Sequence, residues 1–419
     1  MKQAFRNPYN PPKPPQPLPI KESWALLGGI SPERFMKEYW QKKPLLVRGA
    51  IPAFQLAKEA GKPLNSPISM AELTQLAGQK NVESRLVNSK PWSLAHGPFK
   101  SKDIPDLSKP DWTMLVQGVN GHHPMAQVVM SWFRFIPEAR LDDLMISIAG
   151  PQGGVGPHMD SYDVFLLQME GRRHWKISAQ EDLRLKENLP VKILKNFKPT
   201  EDWVLEPGDM LYLPPNIAHD GIALDGGCQT WSIGFRVPNY KELVNEILWR
   251  TTEALENEPD LCRLYSDPHQ AATLDPALIP AQLVEAVQNK LNSLQWSKSD
   301  VSCTLASILS EPKPQTVFNP PKQLLDLSGF KKAMANMGLE LSPLSKSLYD
   351  KDFFYLNGES MSDSEAEDWH YWCQLGKDLC LSARICSEIA QLIDQADNPW
   401  FEAYQAGWLT FSKPTLALG

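Results

Sequence analysis

The middle of the chain is dominated by short apolar runs separated by tight turns, and its two ends carry apolar residues at helical spacing. Val164, Phe165, Leu166 and Leu167 form a continuous apolar run of the length of a strand buried on both faces. After a turn at Glu170-Gly171, a second strand carries Arg172, His174 and Lys176 on one face and Arg173, Trp175 and Ile177 on the other, because successive side chains of a strand point to opposite sides. The first set reads as a solvated face and the second as an interior one. A further strand, Met210–Leu213, is entered through Pro207-Gly208-Asp209. Strand, tight turn and strand repeated over about ninety residues predict a double-stranded β-helix, a form of antiparallel jelly roll.

Upstream, seven prolines between positions 8 and 19 favour an extended arm over helix or sheet. A helix follows, with Ser31 as N-cap, Pro32 in its first turn and Phe35 and Tyr39 one turn apart. A short strand is expected at Leu45–Val47, a helix opening on the capping-box pair Ser69 and Glu72, a strand over Trp112–Val119 and a helix over Gln127–Phe135. His122 and His123 read as surface loop residues, and His96, His269 and His370 stand outside any ligand spacing.

Beyond Arg236 the pattern turns helical. Leu243, Val244, Ile247 and Leu248 form one apolar stripe, and Leu283, Val284, Val287, Leu291 and Leu294 another. A barrel closed by its own sheets cannot cover both, so a helical bundle between subunits is expected. A proline-rich break at Pro312–Pro321 leads to Phe353–Leu356 and then Asn357-Gly358, a strong hairpin signal, followed by helical stripes at Trp369–Cys380 and Ala383–Ile393.

Candidate chemistry centres on the stretch Met145–Ser178. His158 and Asp160 stand two residues apart, so in an extended segment imidazole and carboxylate project from one face. His219 follows in a turn after the Met210–Leu213 strand. Two histidines and one carboxylate can cap one face of an octahedral metal, which is the facial triad of non-haem Fe(II) oxygenases. Manganese binds the same ligand set. A His-x-Asp pair alone is a common loop feature, and it is the strand context that favours ligation here. Arg173 would point inward among apolar neighbours, where a cation needs a partner. That partner is either an acid elsewhere in the chain or an anionic ligand, whose carboxylate a guanidinium binds in a two-pronged fork.

Composition narrows the field. The 419 residues imply two or three domains, and the formal net charge of −7 argues against general affinity for nucleic acid. From Ala306 to Gly419 there are 9 Lys and Arg against 15 Asp and Glu, a net of −6, which suits docking of a basic protein. No apolar run is long enough to span a membrane, and a signal-peptide core is not evident. Six scattered cysteines without a Cys-x-x-Cys pair suggest free thiols and a cytoplasmic location.

The region from about Phe35 to Arg236 resembles the Jumonji-C-type bacterial ribosomal oxygenases of the cupin superfamily. The motifs that carry the likeness are YWQKKPLLVRGA (Tyr39–Ala50), GGVGPHMDSYDVF (Gly153–Phe165), GRRHW (Gly171–Trp175), PPNIAHDG (Pro214–Gly221) and SIGFR (Ser232–Arg236). The resemblance implies a Fe(II)- and 2-oxoglutarate-dependent protein hydroxylase that uses O2 to hydroxylate the C3 carbon of an arginine in a large-subunit ribosomal protein. It implies that His158, Asp160 and His219 bind iron, that Arg173 holds the far carboxylate of 2-oxoglutarate and that the Ser147 hydroxyl assists. Tyr162 shares parity with His158 and Asp160 if the strand continues, and is either a substrate-stacking residue at the pocket mouth or a core tyrosine.

The expected architecture is α+β: a proline-rich arm over 1–20, a Jumonji-C/cupin catalytic domain over 21–238, a helical dimerisation region over 239–305 that makes a homodimer, and a winged-helix-like domain over 306–419. The tail runs longer and more acidic than the resemblance implies. Three rivals remain open from the residues. A cupin oxygenase could use the same iron on a small molecule without 2-oxoglutarate, a cupin could serve as a non-catalytic scaffold, and a histidine hydroxylase of a ribosomal protein would share the metal chemistry and differ in its substrate pocket.

Overall fold

Two sheets facing one another form the centre of the chain, and both follow from the alternation described above. The structure, a computed structural model, describes residues 19–256, 259–272 and 274–412; the proline-rich arm lies outside these up to residue 18. In chain order the strands are β1 (Leu45–Val47), β2 (Ser84–Ser89), β3 (Trp92–His96), β4 (Trp112–Val116), β5 (Leu141–Ala149), β6 (His158–Met159), β7 (Val164–Glu170), β8 (Arg173–Ser178), β9 (Glu201–Leu205), β10 (Met210–Leu213), β11 (Ala218–Ala223) and β12 (Cys228–Phe235). The large sheet has the order β1-β10-β7-β12-β5-β4-β2-β3 and the small one β6-β11-β8-β9, with every pair antiparallel. Interleaving of sequence neighbours between two facing sheets is the double-stranded β-helix.

β7 and β10 show why their sequences are apolar at every position. Phe165, Leu167, Met210 and Tyr212 pack outward against the flanking helices, in a cluster with Phe35, Phe133 and Phe235. Val164, Leu166, Leu211 and Leu213 pack inward against Trp175, Ile177 and Leu205 of the small sheet. Each fully buried side chain of this size stabilises the fold by about 1.5–3 kcal/mol. The alternation on β8 is also as expected: Arg173, Trp175 and Ile177 are buried, and His174 and Lys176 half-buried.

The flanking helices follow their caps. Pro32–Glu38 is capped by the Ser31 hydroxyl and Met70–Ala77 by the reciprocal Ser69–Glu72 box. The expected helix over Gln127–Phe135 is instead Pro124–Ser131. It starts earlier because Pro124 opens it and His123 Nδ1 accepts the Met125 N–H as its cap. His123 is therefore a capping residue and not a loose surface one, and its neighbour His122 is half-buried, its pKa lowered by burial. The strand over Trp112 stops at Val116, where Gly118 takes a left-handed conformation.

The described chain packs as two compact units. The first contains residues up to 237, 312–345 and from 377 onward, and the second contains 238–311 and 346–376, so the region 306–419 contributes to both. In the first unit, helices Leu327–Met337, Ala383–Leu392 and Pro399–Gln405 surround a three-stranded sheet around Phe330, Met334, Ile389 and Trp400. In the second, helix Lys298–Ser310 packs with helix Tyr240–Ala254 and with the sheet Ser347–Tyr349, Phe353–Leu356 and Glu359–Asp363. The hairpin turn falls at Asn357-Gly358, both with positive φ as a primed turn requires. Among the described residues, no helix is long and apolar enough to cross a membrane.

Candidate metal and co-substrate site

His158 on β6 and His219 on β11 are direct partners across one antiparallel pair, so their rings face the space between the sheets together. The ring centroids are 4.2 Å apart, and Asp160 Oδ2 lies 3.7 Å from His219 Nε2. One ligand atom from each of the three residues lies within 4.8 Å of the others, and among the described residues no other His, Cys, Asp and Glu cluster has that spacing.

The backbone fixes which nitrogen is available. His158 Nδ1 lies 2.8 Å from the Gly156 carbonyl oxygen and His219 Nδ1 lies 2.9 Å from that of Ile217. A carbonyl can only accept, so each Nδ1 carries the proton and each Nε2 presents its lone pair. This is the second-sphere arrangement that metal-binding histidines use. Burial, and then the neighbouring His158, lower the pKa of His219, which keeps it neutral and able to ligate.

The loop around Asp160 is held on both sides. The Asp160 carbonyl accepts the Asn216 N–H at 2.7 Å. Asp163, fully buried, accepts the Tyr212 hydroxyl at 2.6 Å and the Gln41 amide at 3.0 Å. Asp163 carries no local signal in the sequence, because its partners lie 49 and 122 residues away.

A cavity of about 670 Å³ opens beside the three ligands. Its small-sheet wall is His158, His219, Trp175 and Arg173, and its large-sheet wall includes Thr113, Ser147, Leu166 and Thr230. Trp175 spans the wall: its ring centre is 5.9 Å from that of His219 and 5.8 Å from the Arg173 guanidinium carbon. Gly221, its strand partner, makes room, since a Cβ there would come within 2.7 Å of the indole.

Arg173 is 4 % exposed, and its Nε and Nη2 have no hydrogen-bond partner. Desolvating a guanidinium costs several kcal/mol, and although the Asp220 carboxylate feels its charge, Nε and Nη2 donate to no acid, so the buried fork points to a bound anion. Arg172, next in the chain, is exposed and paired with Asp225. The Ser147 hydroxyl faces the cavity and donates to the Thr230 carbonyl at 3.3 Å. Tyr162 also lines the cavity and is 40 % exposed, although β6 ends at Met159 and strand parity is not what brings it there. Burial and the adjacent Asp160 carboxylate raise its pKa, so the phenol stays protonated. The cavity is also lined by Thr113, which lies 60 residues upstream of Arg173 in an otherwise ordinary apolar strand and so carries no local signal.

The donor set and the unpartnered fork fit a divalent metal and a small dicarboxylate. Comparison with known proteins agrees. A family model for the JmjC domain matches residues 128–243, and one for the AraC-like ligand binding domain matches residues 199–288. The ribosomal protein uL16 3-hydroxylase of Escherichia coli is 35% identical over 293 residues, 69% of this chain and 74% of that protein. The chain belongs to the Jumonji-C ribosomal oxygenases. A probable ribosomal oxygenase of Haemophilus influenzae is 35% identical over 224 residues, 52% of each chain. The structure of the E. coli ribosomal oxygenase YcfD in complex with cobalt and 2-oxoglutarate matches with a TM-score of 0.73 at 28% identity, covering 91% of this chain and 98% of that one. The family's cupin fold, with helices around antiparallel sheets, is therefore the fold of this oxygenase.

Proposed function

We propose that this ribosomal oxygenase hydroxylates the C3 carbon of one arginine in the large-subunit ribosomal protein uL16, with Fe(II), 2-oxoglutarate and O2. The observation that carries the reading is the buried, unpartnered Arg173 fork sharing one cavity with His158, Asp160 and His219. It distinguishes this reading from a cupin that uses iron without 2-oxoglutarate, which has no use for an unpartnered buried cation in the same cavity. The family likeness to a uL16 3-hydroxylase supports the choice of substrate.

Iron(II), when bound, supplies oxidative decarboxylation of 2-oxoglutarate to succinate and carbon dioxide and the insertion of one oxygen atom into a C–H bond. The chain's residues supply the geometry. The Nε2 atoms of His158 and His219 and the carboxylate of Asp160 would hold the metal on one face. Arg173 would anchor the far carboxylate of the co-substrate, with the Ser147 hydroxyl beside it. Trp175, whose indole lies near both Arg173 and His219, would line the wall beside the co-substrate and keep water from it. Tyr162, half-exposed at the cavity wall, would stack on the substrate guanidinium as it enters.

The surroundings fit a basic protein partner in the cytoplasm. The chain carries a net charge of −7, and ribosomal proteins are strongly basic; complementary charge speeds encounter. Helix Ala281–Ser293 exposes Val284, Val287 and Leu291, and Tyr240, Val244 and Trp249 are exposed on helix Tyr240–Ala254. Apolar surface of this extent marks an interface, here a homodimer through the region 239–305. The helices and three-stranded sheet of 327–345 and 377–412 suit a winged-helix-like domain, and the acidity of 306–419 favours docking of protein over nucleic acid. The test is reconstitution. Purified enzyme with Fe(II), 2-oxoglutarate and uL16 should form succinate and oxygenated uL16 in equal amounts, whereas succinate formed equally well without uL16, with uL16 unmodified, would overturn the proposal.

A further inference from the structure

The end of the cavity farthest along β8 from Ile177 is built by a short path between the two sheets. Thr113 on β4 pairs with Ala149 on β5. Ala149 packs against Ala223 and Cys228 in a fully buried cluster. Ala223 on β11 pairs in turn with Arg173 on β8. Two alanines are thus all that separates Thr113 from Arg173 along this path, and both residues line the cavity. Thr113 is 0 % exposed and its Oγ1 has no hydrogen-bond partner. Buried hydroxyls are normally satisfied, and leaving one unpaired is costly. Valine, nearly the same shape, would avoid that cost. The hydroxyl therefore points to a ligand, as the Nε and Nη2 of Arg173 do.

An ionised carboxylate offers about four lone-pair sites, and a guanidinium fork occupies two. Ser147 is an imperfect donor for the others, since its hydroxyl already lies 3.3 Å from the Thr230 carbonyl. We propose that Thr113 donates a hydrogen bond to the far carboxylate of 2-oxoglutarate, opposite Arg173, and is a positioning residue of the co-substrate pocket. The inference rests on the reading of Arg173 given above.

The test uses the full-length Mn(II)-loaded protein without oxygen, titrated calorimetrically with 2-oxoglutarate and with 2-oxobutyrate, which keeps the keto acid but lacks the far carboxylate. Thr113→Val should weaken 2-oxoglutarate binding about tenfold or more, the loss of one charge-assisted hydrogen bond, and leave 2-oxobutyrate binding unchanged. Thr113→Ser should restore most of the affinity. The metal-free Thr113→Val protein should melt at the same temperature as the wild type or higher, because an unpaired buried hydroxyl has been removed. Unchanged 2-oxoglutarate affinity in Thr113→Val, or equal loss for both ligands, would overturn the inference. Arg173→Ala separates the two levels: if it weakens 2-oxoglutarate binding while Thr113→Val does not, only the role of Thr113 fails, and if neither does, the co-substrate reading of the cavity fails as well.

Discussion

Arg172 and Asp225 are joined by two side-chain hydrogen bonds of 3.0 Å at the protein surface, whereas Arg173, the next residue, turns its guanidinium into the interior and leaves Nε and Nη2 unpartnered. One arginine is satisfied by the chain and its neighbour is not. Arg173→Ala should therefore raise the KM for 2-oxoglutarate by about one to two orders of magnitude, the worth of a two-pronged charge-assisted contact. Arg172→Ala should change it less than about twofold. Steady-state succinate formation by the two variants checks this, and comparable effects would mean that the two faces of β8 have been confused.

His158→Ala and His219→Ala should each abolish 2-oxoglutarate turnover while the far-ultraviolet circular dichroism stays that of the wild type. Each removes one Nε2 ligand without disturbing the sheet, whose backbone pairing of these positions does not need the imidazole. Full turnover in either variant would take that residue out of the ligand set.

Lys313 bridges Asp142 and Asp143 at 3.2 and 3.0 Å and ties the segment 312–345 to β5. Burial works against its charge, but Asp143 and Asp142 more than offset this, and its pKa is raised. A raised pKa in the folded state means that the stabilisation is complete below the unfolded value and is lost as pH rises through the folded one. Lys313→Met should destabilise the protein by about 1–2 kcal/mol at neutral pH, less than a fully buried pair would because the side chain retains some exposure. The difference from wild type should shrink above about pH 10.5. Urea denaturation at about pH 8 and pH 11 measures both limbs.

The exposed stripe Val284, Val287 and Leu291 predicts that Val287→Glu combined with Leu291→Glu converts a dimeric full-length protein to a monomer that retains its circular dichroism. Sedimentation equilibrium reads the change. Point variants serve better than a truncation from Ala306, because residues 346–376 pack in one unit with 238–311 and their removal would expose that unit's core.

Much of this molecule was legible in the sequence where the cause is local. The caps at Ser31 and Ser69 and the turn at Asn357-Gly358 depend on neighbours a few residues away, and all were found. The face alternation on β8 was legible because strand period is a property of the segment itself. What escaped depends on distant partners. The role of His123 as a helix cap was masked by the adjacent His122, which made a surface pair the simpler reading. The buried Asp163 and the unpaired hydroxyl of Thr113 acquire meaning when strands far apart in sequence are laid side by side. Nothing in Trp112–Val116 by itself marks Thr113 as polar lining of a cavity. The earlier start of the helix at Pro124 was, by contrast, available from proline's preference for a first helical turn.

We expect this enzyme to place one oxygen atom on the C3 carbon of one arginine of uL16. The most direct test is tandem mass spectrometry of uL16 from cells with and without this enzyme. An arginine carrying one additional oxygen on its side chain is expected in the first sample, and the same residue unmodified in the second. A modification that persists after deletion, or an enzyme-dependent oxygen on a histidine, would contradict this expectation.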